Sequence, residues 1–255
     1  MEKIGMIQNK KIIIGIVPTL HLYETEDPYQ DRYEFVNNYP KKIYEAGAIP
    51  IGLLLNDGKI SMEQLELCDV FLFPGGSRID HELYKILVYA YKKKKPVLGI
   101  CMGMQAMAIF SVMQEETKNN YMNMSEKEIN DLYQRMKNEN PTLMILSHPN
   151  IHGEVIVNRK NIDDAKHTIN IEKDSFLYQT YQSKTAAVVS LHNVVVKRIG
   201  PLFKVIAKSQ DEVIEAIESI NPNLFWIGIQ YHPEITKDNL IKNWIEKIKE
   251  QKMLT

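Results

Sequence analysis

Short apolar runs recur along the first half of the chain and predict buried β-strands. They are four to seven residues long and rich in branched residues, which is typical of parallel strands covered on both faces. The runs are Lys11–Val17, Ile49–Leu55, Val70–Phe73 and Pro96–Ile100.

Polar and apolar positions between these runs follow a helical period. The first helix ends at Gly47, and Pro40 fits its first turn or a kink in it. A short second helix begins with the capping pair Ser61 and Gln64, and a third covers His81–Lys94. Strands that alternate with helices predict βαβ units and a parallel sheet with right-handed crossovers.

The second half contains more strand-like stretches and ends in an amphipathic helix, Asp238–Gln251. The fold class that this order predicts is α/β: an open, mostly parallel sheet flanked by helices, with additional antiparallel strands in the C-terminal half. We expect a single domain over residues 1–255. The strand-like stretches are GEVIVN, HTINIE, AAVVSLH, FKVIAKS, EVIEAIES and FWIGIQ.

A polar, charged segment at about 114–140 interrupts this pattern. Its helical period is weak, and it reads as an excursion from the sheet. Three interpretations stay open: it covers the site, it contacts a partner, or it is a solvated helix.

Composition excludes several classes of function. Among 255 residues, 44% are hydrophobic, and the net charge of −1 argues against a general nucleic-acid binder. The basic run Lys92–Lys95 fits the end of a helix, where cations are favourable. With two cysteines, no apolar signal core and no apolar run of membrane-spanning length, we expect a cytoplasmic protein with neither a membrane nor a nucleic-acid partner.

One of the two cysteines, Cys101, lies in the stretch GICMGMQ, directly after a predicted strand and before a helix. This spacing is that of a nucleophile elbow with Cys in place of Ser, and a helix N-terminus favours a thiolate. The backbone N–H of Met102 would point at a developing oxyanion. A free Cys beside a strand is also often only buried. The other cysteine, Cys68, lacks flanking glycines and is interpreted as structural.

A base for this thiol is found in the stretch FWIGIQYHPE, where His232 and Glu234 follow another apolar strand. Catalytic groups of open α/β sheets gather at the carboxyl ends of strands, and both Cys101 and His232 lie at such ends. Glu234 could hold the far imidazole nitrogen. Gly75 and Gly76 follow a third strand and could supply a second oxyanion donor, or form a plain turn.

A metal site is the weaker reading of another histidine pair. In HPNIHGE, His148 and His152 are four residues apart and Glu154 follows, but Pro149 and Gly153 disfavour a ligand helix. No metal or other cofactor is therefore expected.

Taken together, these motifs resemble class I glutamine amidotransferase domains, which are flavodoxin-like. The branch they resemble is the peptidase C26 group of γ-glutamyl hydrolases, which includes γ-glutamyl-γ-aminobutyrate hydrolase. The matching pieces occur in the family's order over roughly Lys11 to Ile248. They are AGAIPIGLL, LFPGGS, GICMGMQ, VVSLHNVVVKR, KVIAKSQDEVIEAIE and GIQYHPE.

The resemblance implies roles for these residues and a small γ-glutamyl substrate. Cys101 would be the nucleophile, His232 the base and acid, and Glu234 the group that orients it. The N–H groups of Met102 and of the Gly75–Gly76 turn would form the oxyanion hole. The residues implied to bind substrate are Gln105, Ser190 and His192.

Three departures from the branch concern the pocket rather than the triad. Met102 stands where the branch commonly has Arg, and Asn193-Val194 follows the S-x-H motif where Gln is common. The segment SVMQEETKNN replaces the glycine-rich stretch expected after the elbow helix. The implied reaction is hydrolysis of a γ-glutamyl amide through a glutamyl thioester. A glutaminase subunit that feeds a partner synthase, and a silent binding domain on the same fold, stay open, as does a homodimer.

Overall fold

A computed structural model of the chain describes residues 11–21, 32–56, 59–76, 81–118, 120, 123–139, 141–145 and 162–253. The predicted strand GEVIVN and the candidate metal ligands His148, His152 and Glu154 lie outside the described residues. Among the described residues, no helix is long and apolar enough to cross a membrane.

Most strands of the described residues follow the predicted apolar runs, usually with shorter ends. Four further strands were not predicted: Thr19–His21, Arg32–Glu34, Leu143–Ile145 and Val194–Val196. The run at Val70–Phe73 is a strand over its whole length, whereas the run at Ile49–Leu55 is extended only to Gly52. In chain order the strands are β1 (Ile13–Ile16), β2 (Thr19–His21), β3 (Arg32–Glu34), β4 (Ile49–Gly52), β5 (Val70–Phe73), β6 (Val97–Ile100), β7 (Leu143–Ile145), β8 (Lys166–Ile171), β9 (Thr185–Val189), β10 (Val194–Val196), β11 (Phe203–Ser209), β12 (Ile214–Ser219) and β13 (Trp226–Ile229).

Local signals place the starts of the first two helices. Pro40 lies in the first turn of the first helix, and the Ser61 hydroxyl accepts a hydrogen bond from Gln64 N at 3.3 Å, as a helix cap does. The helices are α1 (Asn38–Glu45), α2 (Met62–Leu67), α3 (His81–Lys92), α4 (Met102–Glu116), α5 (Glu126–Glu139), α6 (Phe176–Tyr181) and α7 (Leu240–Met253), with short 3-10 helices at Ile162–Ala165 and Pro233–Ile235.

In the described part of the chain, nine strands form one mixed sheet in the order β4-β1-β5-β6-β13-β12-β11-β8-β9. The first five of these strands are parallel to their neighbours, and the remainder pair antiparallel. The predicted fold class, a mostly parallel open sheet with antiparallel strands added by the C-terminal half, is confirmed.

The centre of this sheet positions the candidate site. Strands β5, β6 and β13 are parallel neighbours, with Phe73 opposite Gly99 and Ile100 opposite Ile229. Their carboxyl ends therefore open at one edge of the sheet. The chain leaves these ends as the Gly75–Gly76 loop, as Cys101 and as the segment that carries His232. Three distant stretches of sequence meet there.

Helices cover both faces of the sheet. The core on one face is built by α3, α4 and α5, and the core on the other by α1, α6 and α7. The excursion at 114–140 supplies α5, whose Ile129, Leu132 and Met136 are buried in the first of these cores. Of the three interpretations, a fully solvated helix is therefore wrong, because one face of α5 packs against the protein.

Two short strands, β2 and β3, follow β1 and form a separate two-stranded sheet. Strands β2 and β3 pair antiparallel, with Thr19 opposite Glu34. Thr19 Oγ1 donates to the Glu34 carbonyl at 3.1 Å and fixes this pairing. The chain on either side of residues 22–31 is thus held together by this strand pair.

Candidate active site

Cys101 sits at a strained turn between β6 and α4. Its φ of 51° and ψ of −105° lie in a region that L-residues rarely adopt. Its N–H donates to Ile229 O at 2.7 Å and its carbonyl accepts from Gln105 N at 3.1 Å. The turn is thereby held by the neighbouring strand and by the first turn of the helix. This is the backbone of a nucleophile elbow.

Gly99 and Gly103, one on each side of Cys101, make this turn possible. A Cβ on Gly103 would clash with Phe73 O and lie 2.7 Å from Phe73 Cβ. A Cβ on Gly99 would lie 2.7 Å from the Gly103 carbonyl carbon. The helix can therefore approach the strands closely only because both positions lack a side chain.

His232 and Glu234 form a buried pair beside this turn. His232 Nδ1 lies 2.7 Å from Glu234 Oε1, and both residues are less than a tenth exposed. Burial lowers the pKa of His232, but the charge of Glu234 and the hydrogen bond with Cys101 raise it more, to about 10. The imidazole is therefore cationic at neutral pH, positioned between a carboxylate and a thiol.

The glycine loop after β5 lies against both Cys101 and His232. A Cβ on Gly75 would lie 2.7 Å from His232 Cε1 and 3.5 Å from Cys101 Cβ. A Cβ on Gly76 would lie 2.5 Å from Thr19 Cγ2 and 3.0 Å from Met102 Sδ. Only bare backbone fits at these positions, as expected for a loop that approaches a reacting atom.

The N–H of Gly75 was expected to be an oxyanion donor, but it already has a hydrogen-bond partner. It donates to the hydroxyl of Tyr39 at 3.0 Å, and that hydroxyl donates to Glu234 Oε1 at 2.9 Å. Gly75 is therefore not a free oxyanion donor, since its amide is already engaged. The candidate donors that remain are the amides of Gly76 and of Met102, the latter in the first turn of α4, where helix N–H groups lack intrahelical partners.

Gln105 lies in the first turn of α4 and is almost fully buried. Its Nε2 donates to Val194 O at 3.0 Å and to Gln230 Oε1 at 3.5 Å. The side chain thus connects the elbow helix to β10 and to the end of β13.

Ser190 and His192 point into the protein, contrary to their implied contact with substrate. The Ser190 hydroxyl lies 2.6 Å from His167 Nε2, and His192 Nε2 lies 3.7 Å from the fully buried carboxylate of Glu215. His167 Nε2 is 3.6 Å from the same carboxylate. The residue between the two, Leu191, is 37% exposed and points outward instead.

A cavity of about 500 Å³ opens beside the His232–Glu234 pair. Most of its other side chains are aliphatic or uncharged, and Leu191 is one of them. The lining residues are Val36, Asn37, Asn38, Tyr39, Gly75, Ile162, Leu191, His232, Glu234 and Ile235. Its volume is within the range of small-molecule sites.

The metal-site hypothesis and the second cysteine, Cys68, can also be compared with the structure. No cluster of three or more metal-ligating side chains occurs among the described residues. Cys68 is buried, its Sγ donates to Gln64 O at 3.3 Å, and burial raises its pKa to about 11. This thiol is inert in comparison with one that is paired with a histidine.

Comparison with known families agrees with the order of these motifs. The profile of the Peptidase C26 family matches residues 12–87 and 81–234. The chain belongs to the Peptidase C26 family. This family membership indicates a glutamine amidotransferase-like protein that hydrolyses amides.

Two relatives and one solved structure show what this Peptidase C26 protein is similar to. It is 30% identical to a glutamine amidotransferase-like protein of Rickettsia prowazekii, with 90% of this chain and 93% of that protein covered. It is 25% identical to protein NtpR of Enterococcus hirae, with 88% and 91% covered. The CTPS glutaminase domain of Trypanosoma brucei, solved with bound acivicin, has the same fold, with a TM-score of 0.62, 17% identity and coverage of 95% and 94%.

Sequence reasoning missed two residues of the site in this Peptidase C26 protein. Tyr39 is 195 positions from Glu234 along the chain, so no local pattern connects them. Leu191 lies inside the recognised S-x-H motif but between β9 and β10, where no strand period indicates the direction of its side chain.

Proposed function

We propose that the protein hydrolyses the γ-glutamyl amide bond of a small γ-glutamyl amine or peptide. One observation supports this most: Cys101 at a strained elbow lies beside His232, whose Nδ1 is 2.7 Å from Glu234 Oε1. A nucleophile, a base and an orienting carboxylate in this relation perform acyl transfer.

The first step forms a thioester. The thiolate of Cys101 attacks the γ-carboxamide carbon, and the carbonyl oxygen becomes an oxyanion. The amides of Gly76 and Met102 are the proposed donors to that oxygen, at the helix N-terminus where negative charge is favoured. His232 then donates its proton to the amine nitrogen, the C–N bond breaks, and a glutamyl thioester remains on Cys101.

The second step releases glutamate. His232, now neutral, takes a proton from water, and the hydroxide attacks the thioester carbon. The C–S bond breaks, the thiolate returns, and the imidazole keeps the proton for the next cycle. The carboxylate of Glu234 stabilises the imidazolium in both steps. No cofactor takes part in this mechanism.

In this proposal, the cavity beside His232 holds the group carried by the leaving nitrogen. His232 protonates the leaving nitrogen, so the space next to it receives the group on that nitrogen. A volume of about 500 Å³ is far larger than ammonia requires. The second candidate is a glutaminase that delivers ammonia to a partner synthase. The fold shared with a CTPS glutaminase domain supports this alternative.

Glutamate release from a panel of γ-glutamyl amides, free glutamine included, tests the proposal. We expect release from a γ-glutamyl amine or peptide, with turnover lowered at least about 10³-fold in Cys101→Ser. Cys68→Ser is the matched control, since its hydroxyl can replace the thiol's bond to Gln64 O. Cleavage of glutamine alone would favour the glutaminase. Release that Cys101→Ser leaves unchanged would contradict the proposal.

A further inference from the structure

A continuous chain of hydrogen bonds runs from the glycine loop to the catalytic imidazole. The Gly75 N–H donates to the Tyr39 oxygen at 3.0 Å, and the Tyr39 O–H donates to Glu234 Oε1 at 2.9 Å. The same carboxylate oxygen lies 2.7 Å from His232 Nδ1. A tyrosine hydroxyl has one proton to donate, and here it goes to the carboxylate while the oxygen accepts from the loop.

Tyr39 is held firmly in this position. Its side chain is 2% exposed, in the first turn of α1. Lys42, one turn later, donates from Nζ to Thr236 O at 2.7 Å, which fastens α1 to the segment just after Glu234. Burial and the charge of Glu234 raise the pKa of the Tyr39 phenol well above its ordinary value. The phenol therefore stays protonated and remains the donor.

We propose that Tyr39 is a positioning residue that holds the Gly75–Gly76 loop in register with the His232–Glu234 pair. This inference rests on the proposed acyl-transfer function. By fixing the amide of Gly75, the phenol sets the orientation of the adjoining peptide and so aims the Gly76 N–H at the oxyanion. One hydrogen-bonded network then holds both the loop and the imidazole, and the distance between the oxyanion donor and the attacking thiolate stays fixed.

Tyr39→Phe removes this link and keeps the ring. Tyr44→Phe is the matched control, because Tyr44 is on the same helix and its side chain is 74% exposed. We expect kcat to fall about tenfold in Tyr39→Phe with KM within about threefold, since misaligned donors weaken binding of the transition state more than of the ground state. Tyr44→Phe should match wild type.

Two covalent probes of Cys101 test the same point without turnover. Iodoacetamide reacts by direct displacement: the C–S bond forms as iodide leaves, and no oxyanion develops. A chloromethyl ketone analogue of glutamine is attacked at its carbonyl, which gives an oxyanion before the C–S bond to the methylene forms and chloride leaves. In Tyr39→Phe we expect the ketone to react about tenfold more slowly and iodoacetamide to react within about threefold of wild type.

The outcomes separate the two proposals. A wild-type protein that releases glutamate from no amide would refute the hydrolase, while the ratio of the two probe rates still tests Tyr39. An unchanged ratio of the two probe rates in Tyr39→Phe would overturn the positioning role. If both rates fall equally, the substitution acts on the reactivity of the thiolate instead. A raised KM with unchanged kcat would indicate substrate contact instead. A Tyr39→Phe protein that fails to fold would show a structural role and overturn the inference.

Discussion

The charge of Glu234 governs the protonation of His232, and Glu234→Gln removes that charge while keeping the shape of the side chain. In the wild type the pKa of His232 is about 10, although burial opposes the imidazolium. Two opposite unit charges about 4 Å apart at an effective dielectric constant of about 20 attract each other by about 4 kcal/mol, which corresponds to about 3 in pKa. The 2.7 Å contact between Nδ1 and Oε1 places the pair in this range. We therefore expect the pKa of His232 to fall to about 7 in Glu234→Gln.

Titration of the histidine ring Cε1–H signals by NMR measures this change directly. The signal of His232 is assigned by its loss in His232→Gln. Glu212→Gln is the control, because that carboxylate is exposed and bound to Lys208 at 2.8 Å, far from any histidine contact described above. Its spectrum should keep a histidine that titrates near pH 10. The reasoning is refuted if His232 still titrates near pH 10 in Glu234→Gln.

Three further predictions concern stability and specificity. The pKa of folded His232, about 10, exceeds its ordinary 6.5, so the stability that this shift supplies is complete below about pH 6.5 and is lost as pH rises through 10. The difference in free energy of unfolding between wild type and Glu234→Gln should therefore shrink from pH 6.5 to 10 in urea titrations; a constant difference would contradict this. Gly103→Ala should lower the free energy of unfolding by about 2 kcal/mol in urea unfolding, because its Cβ meets Phe73; a value within 0.5 kcal/mol, at about the level of surface substitutions, would show that the helix can shift. Leu191→Arg should lower kcat/KM at least about tenfold for bulky amides and little for glutamine, since Leu191 lines the cavity. Equal effects on both substrates would show that the cavity does not hold the leaving group.

Most of the order of strands and helices could be predicted because its signals are local. Apolar runs define the buried strands, and the cap at Ser61 and the proline in the first turn of α1 define helix starts. Cys101 and His232 could also be paired from the sequence, because each follows a strand and parallel strands end at one edge of a sheet. The structure brings these two residues together at the ends of β6 and β13.

Contacts that depend on register and long-range packing were not predictable. The inward direction of Ser190 and His192 follows from how the chain continues past β9, and a shift of one residue would reverse it. The bond between Tyr39 and Gly75 joins α1 to the loop after β5, and it engages the Gly75 amide. The packing of α5 likewise became visible only with its neighbours in place, because its period in the sequence is weak.

Several expectations stay predictions: a cytoplasmic location, a homodimer, the absence of nucleic-acid and membrane partners, and a single domain. They do not alter the chemistry of the site. The leaving group is the property on which the hydrolase and the glutaminase differ.

Trapping the acyl-enzyme tests the central claim most directly. The protein is mixed with a γ-glutamyl amide, quenched in acid within one turnover, and digested for mass spectrometry of the peptides that contain Cys101 and Cys68. The account predicts a glutamyl group on Cys101 alone, lost on incubation with hydroxylamine and absent in Cys101→Ser. Release of glutamate with no adduct on Cys101, or an adduct on Cys68, would contradict it.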